Sequence, residues 1–128
     1  MKKTIKLLTL ASVLFVSSAH AEKTIPLEDS SVILGEWKLY AETPALHKEK
    51  KMVQNKWNFR KNGILTSTAF DPRLDGIKAV DVTYSVEDGV IIKQIQPGRS
   101  KTERCKAVKL EGDEMILHCN YLYYFLKR

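Results

Sequence analysis

The stretch Val53-Gln54-Asn55-Lys56-Trp57-Asn58-Phe59-Arg60-Lys61-Asn62-Gly63-Ile64-Leu65-Thr66-Ser67-Thr68-Ala69-Phe70 reads as strand, turn, strand. Val53, Asn55, Trp57 and Phe59 alternate with Gln54, Lys56, Asn58 and Arg60. A period of two with one apolar face is the signature of a strand laid over a core. Asn62-Gly63 then supplies the positive φ that a tight hairpin requires. A second run, 64–70, follows at once.

The same rhythm continues on both sides. Asp75-Gly76, Asp88-Gly89, Pro97-Gly98 and Gly112-Asp113 are further turn dipeptides, and the turns lie 9 to 14 residues apart. The runs between them are rich in Val, Ile, Thr and aromatic residues, which favour strands. Strands are expected near 33–41, 53–60, 64–70, 78–86, 90–96, 101–110, 114–119 and 121–127. On the first, Ile33, Gly35, Trp37 and Leu39 share a face opposite Glu36, Lys38 and Tyr40. On the fourth, Val80, Val82, Tyr84 and Val86 oppose Asp81, Thr83 and Ser85. Every connection after residue 53 is short, which favours chain-order neighbours over Greek-key crossings. The expected fold is all-β: a single antiparallel up-and-down β-barrel of about eight short strands.

Two segments break the pattern. Thr43-Pro44 can cap and open a helix, so 43–52 reads either as one or two helical turns or as a loop. Residues 22–32 read as an extended, polar N-terminal arm. Ahead of them, Met1-Lys2-Lys3 and Lys6 form a positive start, Leu7 to Ser18 is mainly apolar, and Ala19-His20-Ala21 is a small-x-small cleavage signal. This is the plan of a secretory signal peptide. The apolar run, about 12 residues, falls short of the ~20 that a membrane span needs. The expected division is a signal peptide over 1–21 cleaved after Ala21, an arm over 22–32, and one barrel domain over 33–128 in a soluble, periplasmic protein.

Charge narrows the function classes. The chain carries 21 basic and 15 acidic residues, a net +6. Lys2, Lys3 and Lys6 belong to the signal, so the exported part falls to +3, too little to point to nucleic acid. The basic residues cluster at Lys48, Lys50 and Lys51 and at Arg99, Lys101, Arg104 and Lys106. They form a solvated face or attract an anionic partner. No G-x-S-x-G, H-E-x-x-H or Gly-rich phosphate loop occurs, so no catalytic residue is assigned. His47, His118, Met52 and Met115 show no metal-ligand spacing, and neither a metal site nor a cofactor is expected.

Two cysteines in an exported chain normally pair. If Glu111-Gly112-Asp113 is a three-residue loop, Leu110 faces Glu114, Lys109 faces Met115 and Ala107 faces Leu117. Cys105 then lies directly opposite Cys119, close enough to bond. A two-residue loop would misalign them by one. A redox role is disfavoured, because reactive pairs usually sit close in sequence as C-x-x-C.

Gly35-Glu36-Trp37-Lys38-Leu39 resembles the G-x-W start of lipocalins and fatty-acid-binding proteins. Trp57-Asn58-Phe59-Arg60-Lys61-Asn62-Gly63, Tyr84-Ser85-Val86-Glu87-Asp88-Gly89 and the closing Lys127-Arg128 are similar to small bacterial lipocalin-like domains of the calycin type. The resemblance implies a barrel whose end is closed by Trp37, with a basic residue, Arg128 or Lys127, lying across it. It also implies a small apolar or amphipathic ligand. Trp57, Phe59, Tyr84, Tyr123 and Phe125 are the candidate ligand-facing residues; the alternative is that such aromatics only fill the barrel. Tyr123 and Tyr124 are consecutive, so one points outward, and beside Tyr121 it would mark an interface. The expected function is non-enzymatic binding. The rival is a protein-interaction module with a filled barrel, an inhibitor or accessory factor for an exported enzyme or envelope complex.

Overall fold

The computed structural model describes residues 22–71, 73 and 76–128; the expected signal peptide lies outside the described residues. Eight strands follow one another: β1 (Gly35–Thr43), β2 (Lys51–Phe59), β3 (Ile64–Asp71), β4 (Gly76–Glu87), β5 (Val90–Gln94), β6 (Thr102–Glu111), β7 (Glu114–Cys119) and β8 (Leu122–Lys127). Each pairs antiparallel with its chain neighbours, and β8 returns to β1, closing a barrel in chain order. No helix among the described residues is long and apolar enough to cross a membrane.

The turns explain the order. Between β4 and β5 the two-residue loop Asp88-Gly89 has φ of 52° and 83°, the pair of positive angles that a type I′ hairpin demands. Gly89 is required for a second reason. A Cβ there would sit 3.0 Å from Pro26 Cβ, so only glycine lets the N-terminal arm pass this closely. Segment 44–50 is a loop rather than a helix. Thr43 is buried and its hydroxyl donates to the Ala45 carbonyl at 2.8 Å, which ties the start of the loop to the end of β1.

The arm is less polar in effect than its composition. Ile25 N–H donates to Ala107 O and Leu27 N–H to Gly89 O, at 2.7 and 2.9 Å. These bonds seat Leu27 in the core. A short 3-10 turn at Ser30–Val32 follows, with the Asp29 carboxylate accepting from Ser31 N–H.

The arm and turn cover one end of the barrel, where Ile33, Trp37, Phe59, Leu65, Met115 and Leu126 are fully buried. Trp37 Nε1 donates to Ile33 O at 2.9 Å. The Arg128 guanidinium lies 4.1 Å from the Trp37 ring centroid and donates to Leu34 O at 3.0 Å. The cation across the tryptophan is therefore Arg128; Lys127 sits instead over the outward ring of Tyr40, 4.7 Å from its centroid.

Cys105 and Cys119 are bonded, with Cα atoms 4.1 Å apart. The route to this alignment differs from the expected one. The β6–β7 loop is two residues, Gly112-Asp113, with Glu111 facing Glu114, Leu110 facing Met115 and Lys109 facing Ile116. A bulge between Ala107 and Lys109 then absorbs one residue, and Ala107 faces Leu117 after all. An extra residue in one strand restores the register that the shorter loop displaced.

Candidate functional site: the polar and aromatic barrel interior

Alternation carries one side chain of every two into the barrel. Toward the end covered by the arm these are aliphatic and aromatic. Toward the other end, which bears loops 44–50 and 95–101, charged residues take over. Lys93 faces Tyr84 on β4 and Glu103 on β6. Lys93 Nζ and Glu103 Oε2 are 2.8 Å apart, and their side chains are only 11% and 12% exposed. The same ammonium lies 5.3 Å from the Trp57 ring centroid, within cation–π range.

The aromatic rings form a continuous stack alongside this pair. Tyr84 meets Phe59 edge-on at 5.1 Å, Phe59 meets Trp57 edge-on at 6.2 Å, and Trp57 meets Tyr124 at 5.0 Å. Edge-to-face and tilted contacts of this kind match the ring quadrupoles. The Tyr84 hydroxyl donates to Arg60 O at 2.6 Å. Burial pushes the Tyr84 phenol up. Tyr124 is pushed up to about 12, by burial first and then by the carboxylates of Glu103 and Glu42. Both phenols therefore stay neutral and able to donate at physiological pH.

Of the aromatic residues proposed from sequence, Trp57, Phe59 and Tyr84 are brought together inside. Tyr123 and Phe125 are not, because β8 has the opposite phase. Tyr124 and Leu126 point inward, and Tyr123 and Phe125 lie on the outer surface. Tyr123 stacks on His118 at 3.9 Å, and both contact the Glu22 carboxylate, with His118 Nδ1 at 2.7 Å and the Tyr123 hydroxyl donating. Phe125 is buried from outside, with Lys50 Nζ 4.3 Å above its ring and Tyr40 beside it. Tyr121 is exposed.

Tyr124, Lys93 and Glu103 were missed as site residues. The signal for Tyr124 was the turn Asn120-Tyr121. Cys119 faces Leu122 across it, so an inward Cys119 fixes Leu122, Tyr124 and Leu126 inward. The signal for the charged pair was that Glu103 and Lys93 each lie two residues from a buried position, Cys105 and Ile91.

Glu103, Cys105 and Cys119 present their ligand atoms within 4.8 Å of one another. The disulfide engages both sulfurs, which leaves no thiolate to bind a metal there. Depressions of about 250–270 Å³ also open on the protein surface. One is lined by Asp29, Lys61, Tyr84 and Val86, another by Arg104, Lys106, His118 and Asn120.

No family model and no curated protein matches this chain. Among solved structures, a lipocalin-like protein from Bacteroides uniformis ATCC 8492 superposes with a TM-score of 0.62. The two are 14% identical, and the match covers 76% of this chain and 98% of that one. At that identity the likeness speaks for the backbone alone: the chain has a lipocalin-like fold, a closed eight-stranded antiparallel barrel.

Proposed function

We propose that this protein is an exported, non-enzymatic binding protein that holds a small amphipathic molecule in the loop-bearing half of its barrel. The observation that carries the reading is the desolvated Lys93–Glu103 pair set among Trp57 and Tyr124. Stability alone argues against such a pair, because well-packed apolar residues of the same volume are usually at least as stable. A few fixed polar groups among aromatic walls are what a small-molecule site needs to orient a ligand. A flat apolar body would stack on Trp57 and Tyr124, and a polar head would exchange bonds with Lys93 or Glu103. The disulfide supports export to an oxidising compartment. The first 21 residues supply the cleavable leader, leaving the arm 22–32 and the barrel 33–128 as the periplasmic protein.

Native mass spectrometry of freshly purified protein, followed by solvent extraction, tests this. A bound mass between one and a few hundred daltons, lost in Trp57→Ala, is the expected result. A mass equal to the bare chain, with no quenching of Trp57 fluorescence by a panel of amphiphiles, overturns it.

A second reading, the interaction module, is favoured by Phe70 and Ile77. They face each other across β3 and β4 and are 56% and 73% exposed. An apolar cross-strand pair on an outer surface is a contact seeking cover. Loss of an exported enzyme or envelope protein from a low-salt pull-down in Phe70→Ser would support it.

A further inference from the structure

β4 is the longest strand, yet β5 pairs with only its last part, from Tyr84↔Lys93 to Glu87↔Val90. From Gly76 to Thr83 it is paired on one side alone, with β3. Two hydrogen bonds fix which main-chain groups face the unpaired side. Tyr84 N–H donates to Gly63 O, toward β3, and Thr83 N–H donates to the Gln94 side-chain oxygen, toward β5. Alternation along a strand then directs the N–H and C=O groups of Asp81, Ala79 and Ile77 away from β3. Gln94 caps the edge at Thr83. No described residue pairs with the edge beyond it.

A free edge of this kind is a template for another strand, and proteins usually guard it with a bulge, proline or charge. Here Lys78 and Asp81 are the charges on the edge, while its outer face also carries Ile77 and Ala79, with Phe70 directly behind Ile77 on β3. Asp81 is tied back by the Thr66 hydroxyl at 2.7 Å.

We propose that two copies of this chain pair through this edge, β4 against β4, antiparallel about a two-fold axis at Ala79. The register is symmetric about the axis. Ile77 falls opposite Asp81 of the second copy, Lys78 opposite Val80, and Ala79 opposite Ala79. No like charges meet. A small residue sits on the axis, where the two side chains approach one another. The result is a four-stranded ribbon, β3-β4-β4-β3, in which both Ile77 side chains gain a cross-strand neighbour. The antiparallel sense sends the two barrels to opposite ends of this ribbon, whereas a parallel pairing would drive them side by side. The interface is short, about six main-chain hydrogen bonds, at the small end of specific contacts. The dimer is therefore weak, with Kd on the order of 100 µM.

Sedimentation equilibrium of the purified protein from roughly 10 µM to 1 mM, spanning that Kd, reads this directly. The weight-average mass should rise from one copy toward two. Ala79→Pro removes an N–H that β3 does not use, so it should keep the wild-type circular dichroism and sediment as a monomer throughout. Wild type that stays monomeric to the top of the range, or Ala79→Pro that associates like wild type, overturns the proposal. Should the proline variant fail to fold, Ala79→Cys decides. In the proposed register the two Cα atoms lie roughly 5.5 Å apart, inside the disulfide range. Both native cysteines are already bonded. Ala79→Cys should form a covalent dimer in a glutathione redox buffer, while Ser85→Cys, on the paired part of β4, stays monomeric. Equal cross-linking of the two, or none in Ala79→Cys, overturns the proposal.

Discussion

Replacing Lys93 with methionine strands a carboxylate. Lys93 and Glu103 are 2.8 Å apart and about nine-tenths shielded from water, so neither is readily rescued by solvent when the other goes. Removing one member of a buried pair costs about 3–5 kcal/mol. The residual exposure places the expectation at the lower end, about 3 kcal/mol. In a domain of this size one kcal/mol moves the melting temperature by about 4–8 °C, so Lys93→Met should melt roughly 12–24 °C below wild type. Glu103→Leu should fall by a similar amount, because it strands the ammonium. The double variant should recover most of the loss, since an apolar pair of similar volume is about as stable as the ion pair. Four proteins, melted by circular dichroism at one pH, close the double-mutant cycle. Two small single losses, each under ~1 kcal/mol and additive, would place the pair in the class of solvated surface ion pairs. That result refutes the reasoning about a dry interior. The stable double variant also separates fold from function, because the proposed site would lose its fixed polar groups while the barrel stands.

Trp37→Ala should cost about 3–5 kcal/mol through lost packing. Arg128→Ala should cost about 0.5–1 kcal/mol, since the guanidinium is exposed, and most of that smaller loss should vanish in the Trp37→Ala background. Replacing Cys105 and Cys119 together with serine removes a cross-link worth about 3 kcal/mol in the chain-entropy model, and native protein should show no reactive thiol by titration. The Glu22 carboxyl is pushed up by burial, but hydrogen bonds from Tyr123 and His118 and the charges of His118 and Lys106 hold it below its ordinary 4.5. Its contribution to stability is therefore present above pH 4.5 and lost as pH falls through the depressed value. The melting-temperature gap between wild type and Glu22→Gln should close on acidification. Tyr123 is raised to about 12 chiefly by its hydrogen bond to Glu22, so its contribution is present below pH 10 and lost toward pH 12. In an absorbance titration Glu22→Gln should return Tyr123 toward 10 and leave Tyr124, held up first by burial, near 12.

The barrel was legible because its information is local. Each hairpin announces itself in a turn dipeptide, and each strand in a period of two. What lay beyond reach depended on phase carried from one strand to the next. Cys105 and Cys119 were aligned correctly from the wrong loop length, because the bulge at Ala107/Lys109 has no glycine or proline to mark it. Tyr124 was passed over for Tyr123 and Phe125 because three consecutive aromatics carry no alternation of their own. Phe125 is buried as an inward residue would be, but by Lys50 and Tyr40 from outside. Lys93 and Glu103 did not stand out in the sequence, since charged residues almost always lie at the surface. Only their pairing across β5 and β6 makes the interior position tolerable. The arm looked polar because Leu27 and Ile25 are scattered among charges, and its docking depends on the space left by Gly89.

Seven of the eight strand pairings join chain neighbours, while the β1–β8 seam matches Lys38 with Lys127. The hairpins can zip in sequence at microsecond cost, but the seam must bring together segments almost a whole domain apart. Closing that loop costs about 2 kcal/mol more than closing a ten-residue hairpin. Closure of this seam is accordingly the expected slow step of folding. In stopped-flow refolding, substitutions along Leu39, Ala41, Phe125 and Leu126 should change how fast the cylinder shuts. Those within the β4–β5 or β7–β8 hairpins should change mainly how long it stays shut.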